Sequence, residues 1–146
     1  MNEQATPLSE RCGTCGASRA GWAAQEAAGG RLRWTLEWSC DCGEVCDRGR
    51  GPAPTRVRAV IVASHGTHRL VLADPRTRSG RIPKAFRDVF GMTLHEAGEA
   101  VAALREEGYE GTRTEVLLLA ALLEEAGIPT EIHPAPLRGR ADPPAG

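Results

Sequence analysis

The sequence predicts an α+β protein in which a small cysteine-rich segment precedes a larger segment of strands and helices. The five cysteines all lie within residues 12–46. Residues 31–38 alternate apolar and polar side chains, which is the period of a half-buried strand. Beyond residue 80, apolar residues recur at helical spacing in three successive segments. These three patterns together predict the mixed class.

Charge is strongly segregated along the chain, although the formal net charge of its 146 residues is only −1. Residues 1–47 sum to −3, residues 48–87 carry ten cations against one carboxylate, and residues 88–132 sum to −8. Such blocks of opposite charge predict charged binding surfaces more than the net figure does.

The chain contains no run of 18 apolar residues, so we expect no membrane span and no membrane partner. Its first residues lack the charged and apolar regions of a secretion signal. We therefore expect a cytoplasmic protein with reduced thiols. Under those conditions an odd number of clustered cysteines favours a metal site over disulfides.

Composition divides the chain into four parts. Residues 1–47 hold the cysteines, and residues 48–54 ("RGRGPAP") are predicted to be a basic Gly/Pro linker. Residues 55–133 are predicted to form the larger α+β domain. Residues 134–146 are rich in proline and glycine and are expected to be disordered.

The larger domain is predicted to open with a β-hairpin, formed by residues 56–64 and 67–73 around a short turn. A helix follows at residues 82–90, ended by Gly91. The next two helices begin at Thr93 and near Thr112, and the last one is nearly all apolar, so it should be the most buried. A short strand is predicted near residues 130–133.

The stretch "TLHEAGEAV", residues 93–101, is similar to the start of a zinc-peptidase helix, but Glu99 stands where the second histidine ligand would be. Thr93 and Glu96 have the spacing of a capping box, which gives Glu96 a structural role at the helix start. His65 and His68, three residues apart, would need a third ligand to bind a metal. No catalytic residue is predicted.

The cysteines predict a structural Zn²⁺ site. Cys12 and Cys15 form one pair followed by glycine, and Cys40 and Cys42 form a second. Cys46 is an alternative ligand in place of Cys40. The arrangement resembles a zinc ribbon over residues 10–47, which implies a closed site of four thiolates with no open position for catalysis.

Residues 56–133 resemble the C-terminal domain of the bacterial ribosomal stalk protein and the N-end-rule adaptor of the Clp protease. "AFRDVFGMTLHEAGEAV" and "ALLEEAGIPTEI" carry the resemblance, together with "REEGYEGTRTE". It implies a β-α-α-β-α-β-like domain with three helices on one face of a small sheet, which relatives use to hold protein partners. The adaptor's Asn-Asp-Asp peptide-binding run is absent here, as is the lysine-rich helical surface of the stalk domain.

These features predict a non-enzymatic zinc-binding adaptor that binds a protein partner, of immunity or antitoxin type as one version. The alternative is nucleic-acid or ribosome association through the arginine-rich segment 48–87. No small-molecule substrate is indicated. The cations predicted to contact a partner are Arg48, Arg50, Arg56, Arg58, Arg76, Arg78, Arg81, Lys84 and Arg87.

Overall fold

A computed structural model describes residues 2–134 of the chain. The first half is a four-stranded antiparallel meander, here called sheet A, with strand order β1-β2-β3-β4. Its strands are β1 (Asn2–Arg11), β2 (Ser18–Ala28), β3 (Arg31–Cys40) and β4 (Gly43–Arg50). The alternation predicted for residues 31–38 is present, because Leu32 and Trp38 are buried on one face while Arg33 and Glu37 are exposed on the other.

The second half begins with a helix and continues in the predicted β-α-α-β-α-β order. Its elements are α1 (Thr55–His65), β5 (His68–Leu72), α2 (Arg81–Phe90), α3 (Leu94–Glu106), β6 (Tyr109–Gly111), α4 (Arg113–Glu125) and β7 (Thr130–Pro134). The strands form a three-stranded antiparallel sheet, here called sheet B, in the order β6-β5-β7. The α+β class is therefore confirmed. The part of the chain that the structure describes has no helix long and apolar enough to cross a membrane.

One hydrophobic core joins the helices to both sheets. Side chains of α2, α3 and α4 surround Leu70 and Leu72 of β5. Phe86 is fully buried there and meets the Tyr109 ring edge-on, with 4.8 Å between ring centroids. Leu32 of sheet A belongs to the same core. The two halves of the chain therefore share apolar packing.

The predicted hairpin at residues 56–64 and 67–73 is wrong, because residues 55–65 form α1 and only residues 68–72 form a strand. Val57, Val60 and Ile61 are β-branched and suggest a strand, but they also have the i, i+3, i+4 spacing of one helix face. That face packs on Ala23 and Leu36 of sheet A. Burial of the apolar stripe outweighs the strand propensity of its residues.

The predicted linker is also too long, because residues 48–50 continue β4 and pair with residues 33–35 of β3. Gly49 falls in the predicted linker, yet it has a packing role. A Cβ at this position would lie 2.7 Å from Nε1 of Trp34, its cross-strand neighbour. Glycine in the strand lets the indole lie against the backbone. The predicted disordered tail, residues 134–146, lies outside the described residues except for Pro134, which ends β7.

A buried polar network joins α4 to sheet A and α1. Glu115, which is fully buried, accepts hydrogen bonds from Arg58 on α1 at 3.0 Å and from Gln25 on β2 at 3.1 Å. The same carboxylate accepts from the backbone N–H of Thr112 at 2.9 Å and closes a capping box with that residue. Gln4 on β1 accepts from the backbone N–H of Thr114 at 3.1 Å. Sheet A thereby satisfies donors that the helix start would otherwise leave buried and unpaired.

We expect Glu115→Ala to lower the free energy of unfolding by about 2–3 kcal/mol. Removing one partner of a buried ion pair typically costs about 3–5 kcal/mol, and the partly exposed Arg58 guanidinium reduces that loss. The matched control is Glu96→Ala, which removes the corresponding capping-box carboxylate from the exposed start of α3. Urea unfolding should show a much smaller loss for Glu96→Ala. Equal losses for the two variants would contradict a stabilising role for the buried pair.

Candidate metal centre

The order of strands in sheet A brings two cysteine-bearing turns together. In an antiparallel meander, the β1–β2 and β3–β4 connections lie at the same end of the sheet, while the β2–β3 turn lies at the other. Cys12 and Cys15 lie in the first connection, and Cys40 and Cys42 lie at the second. Residues almost thirty positions apart in sequence are thus neighbours.

The predicted ligand set is brought together as a single cluster. The Sγ atoms of Cys12, Cys15, Cys40 and Cys42 all lie within 4.8 Å of one another. Cys12 is buried, Cys40 is half-buried, and Cys15 and Cys42 are exposed. Sulfurs at this spacing could hold one metal ion between them. Among residues 2–134, no other group of three or more His, Cys, Asp or Glu side chains has its ligand atoms this close together.

Cys46, the alternative ligand, does not belong to the cluster. It lies opposite Glu37 along β4, beyond the turn that carries Cys42. Its thiol instead lies 3.3 Å from Nη2 of Arg48. The pairing of β3 with β4 keeps Cys46 on the strand, so it cannot replace Cys40 in the site.

The first cysteine turn is shaped by backbone hydrogen bonds. The Gly16 N–H donates to the Cys12 carbonyl at 3.0 Å, and the Cys12 N–H donates to the Ala17 carbonyl at 2.8 Å. Gly16 has a φ of +71°, a left-handed conformation that glycine adopts readily. The backbone N–H groups of Cys15 and Thr14 face the Cys12 sulfur and lower its pKa to about 6. One thiolate is therefore stabilised before any metal binds.

The Cys42 thiol resists ionisation. Its pKa is raised to about 12, chiefly by its hydrogen bond with the Cys15 thiol and then by burial and by contact with Cys40. The negative charge of the Cys12 thiolate also disfavours a second thiolate at Cys42, so the Cys42 proton is held tightly in the absence of a cation. A bound metal would relieve that repulsion.

Charged and aromatic side chains lie near the cysteine cluster. Glu10 forms ion pairs with both Arg19 and Arg56. The Arg19 guanidinium lies 4.5 Å from the ring centroid of Trp38, and that of Arg56 lies 5.3 Å away. The pKa of Arg19 is raised mainly by its hydrogen bond to Glu10, with smaller contributions from the charges of Cys12 and Cys40. Arg19 thus places positive charge beside the thiolates.

The three tryptophans differ in burial and in the face of sheet A on which they lie. Trp38 is buried beneath the metal end of the sheet, and Trp34 packs with α1. Trp22 is 53 % exposed on the opposite face of sheet A. Trp38 is therefore covered by the guanidinium groups of Arg19 and Arg56, whereas Trp22 is exposed and can contact a partner.

The nine cations predicted to bind a partner lie on four separate segments. Arg48 and Arg50 are exposed on β4, and the others follow on α1, on the connection before α2, and on α2. The members on those three segments are Arg56, Arg58, Arg76, Arg78, Arg81, Lys84 and Arg87. Arg58 is ion-paired with the buried Glu115 and its side chain is 38 % exposed, so its contact with a partner stays a prediction.

The histidines and the peptidase-like stretch have other contacts. Thr93 and Glu96 form the predicted capping box, with the Thr93 N–H donating to Glu96 at 3.0 Å. His95 lies 3.1 Å from Glu99 on the exposed side of α3. His65, expected in a hairpin turn, instead ends α1, and its Nε2 lies 2.8 Å from the Ala5 carbonyl oxygen.

The low pKa of Cys12 predicts that the folded protein loses some stability at acidic pH. A depressed pKa stabilises the folded state above the ordinary thiol pKa, and this stabilisation is lost as the pH falls through about 6. In the metal-free folded protein, ultraviolet thiolate absorbance should begin to rise near pH 6. Cys12→Ser should remove this first step, whereas Cys46→Ser should leave it. A first thiolate that forms only near the ordinary thiol range of about 8.5 would contradict the assignment.

Gly21 is expected to be essential for placing Trp38 under the metal end. A Cβ there would lie 2.0 Å from the Glu37 carbonyl oxygen and 2.7 Å from Cε3 of Trp38. Gly21→Ala should therefore destabilise the protein by at least about 1–3 kcal/mol, the usual cost of overpacking. Gly98→Ala, on an open surface of α3, should instead stabilise it by about 0.5–1 kcal/mol. Urea unfolding of both variants checks the opposite signs.

No family model, curated protein or solved structure matches this chain. The resemblances to the zinc ribbon, the stalk domain and the Clp adaptor therefore stay predictions.

Proposed function

We propose that the protein is a non-enzymatic, zinc-stabilised binding protein whose partner is another protein. The zinc-binding part of this proposal is supported by the cluster of four cysteine sulfurs within 4.8 Å of one another. Zn²⁺ bound by four thiolates has Zn–S distances of about 2.3 Å, which puts the sulfurs about 3.8 Å apart. A small contraction of the cluster would meet that geometry.

Zinc suits these ligands better than harder cations do. Thiolates favour zinc and iron–sulfur centres, while magnesium and calcium take oxygen ligands. Four protein ligands fill the tetrahedral coordination of Zn²⁺ and leave no position for a reacting water. The metal then has a structural role, joining two turns at one end of sheet A. Ligating thiolates must be reduced, so we place the protein in a reducing compartment such as the cytosol.

The ion pairs made by several of the cations favour a protein partner over nucleic acid. Arg56 and Arg58 form ion pairs with Glu10 and Glu115. Arg76 and Lys84 lie within ion-pair distance of Asp74 and Asp88. Fewer cations of the segment 48–87 are therefore unpaired and available for the multiple phosphate contacts that make binding steeply salt-dependent.

Nucleic-acid or ribosome association is the second candidate. It is favoured by Arg48 and Arg50, which lie on the same open face of the sheet as the exposed Trp22. Affinity capture with the tagged protein, with and without nuclease and at two salt concentrations, separates the two. A protein partner retained after nuclease and higher salt supports the adaptor role, whereas RNA lost under either condition supports the second candidate.

We expect bound zinc to protect the four cluster cysteines, but not Cys46, from alkylation. In the zinc-loaded protein, iodoacetamide should modify Cys46 alone, and after chelation all five cysteines should react. Intact-protein mass spectrometry counts the added groups. Cys46→Ser should reduce the count in the loaded protein to none.

Replacing the first ligand pair tests the same site by stability. Cys12→Ser with Cys15→Ser should abolish stoichiometric zinc, measured by elemental analysis. A metal present at about a thousand times its Kd contributes about 4 kcal/mol, so Tm should fall by roughly 10 °C or more. Cys46→Ser is the matched control and should retain both metal and Tm. Unchanged metal content in the double variant would defeat the proposal.

A further inference from the structure

The face of sheet A turned away from α1 carries an open groove along β3 and β4. Two depressions of about 370 and 320 Å³ lie along it, and Arg48 lines both. Trp22 lies at one end, and Arg33 and Arg50 lie at the other. This surface, from Trp22 to Arg50, is called the outer groove.

The basic end of the outer groove holds three arginines without enough counter-charge. Arg33 and Arg50 are directly opposite each other on neighbouring strands, and Arg48 is on the same face two residues from Arg50. Directly opposed like charges destabilise a sheet. Glu26 is the cross-strand neighbour of Arg33, but within residues 2–134 no carboxylate lies at ion-pair distance from Arg33 or Arg50. An anionic ligand would remove this repulsion.

The other end of the groove offers an aromatic surface. Trp22 is 53 % exposed and opposes Glu37 on β3. Along β2, Glu26, the neighbour of Arg33, is four positions from Trp22, which is about 13 Å of strand. A ligand that reaches both ends must therefore be extended and chemically different at its two ends.

We propose that the outer groove binds an extended segment of a partner protein, with an apolar side chain on Trp22 and carboxylates on the arginines. This rests on the protein-binding function proposed above. Arginine binds carboxylates through paired, charge-assisted hydrogen bonds, and Trp and Arg are the residues most enriched where binding energy concentrates. Glu26, Glu37 and Glu44 also line the groove and would repel a polyphosphate chain along its length. A peptide that is acidic at one end only fits this charge pattern.

The test is a titration of the full-length, zinc-loaded, ¹⁵N-labelled protein with a short blocked peptide. The peptide has a leucine at one end, two glutamates at the other and uncharged residues between. We expect saturable shifts of the Trp22 indole N–H and of the Arg33, Arg48 and Arg50 amides. A matched peptide with lysines in place of the glutamates should give none. Absence of these shifts at millimolar acidic peptide would overturn the proposal.

Variants separate this site from general charge effects. Arg50→Glu should weaken binding at least tenfold, yet it places opposite charges across from each other and should not lower Tm. Arg113→Glu makes the same charge change at the exposed first residue of α4, outside the groove, and should leave the affinity unchanged. Equal weakening by both variants would show nonspecific attraction and defeat the proposal.

Two further outcomes concern the partner class. A labelled oligothymidine that shifts the same resonances, and competes with the acidic peptide, would reject a protein ligand in favour of nucleic acid. A protein partner captured equally well by wild type and by Arg50→Glu would reject the outer groove while leaving the proposed function standing. Retained zinc stoichiometry in Arg50→Glu confirms that its fold is intact.

Discussion

The buried carboxylate of Glu115 organises the junction on which the rest of the structure depends. It meets α1 through Arg58, sheet A through Gln25, and the start of its own helix through Thr112. A buried charge is costly unless it is paired and hydrogen-bonded, and these partners satisfy the carboxylate from several directions. The arrangement is compatible with only one placement of the three elements, since moving any of them would expose an unpaired group to a low-dielectric interior.

The two ends of sheet A therefore depend on different kinds of interaction. At one end, polar side chains from β1 and β2 bind the start of α4, and Leu32 enters the apolar core. At the other end, two turns bring four thiols together with little apolar cover. A metal would supply at that end the cohesion that the core supplies at the first. Between them, the sheet leaves one face to α1 and the other open.

Local patterns in the sequence predict some of these features and not others. Each of the two cysteine pairs, the Gly91 stop and the Thr93–Glu96 capping box depend on residues close in sequence, and the structure contains all of them. β1 and β2 were not predicted, because their buried positions include the polar Gln4 and Gln25 and many alanines. Gln4 and Gln25 are buried through contact with α4, about ninety positions or more away. α1 was predicted as a strand because its β-branched residues gave an ambiguous pattern that only tertiary packing resolves.

The shared core has a consequence for how this chain can be divided. Leu32 is 1 % exposed and packs among residues of α2 to α4, although it precedes them by fifty positions or more. Gly51 to Pro54 form the short connection between the meander and α1, and cutting there would separate Leu32 from its neighbours. Neither fragment would bury its own apolar and polar groups. The two fragments would have to reassociate to fold, so interaction mapping by truncation would report loss of folding rather than loss of a binding surface.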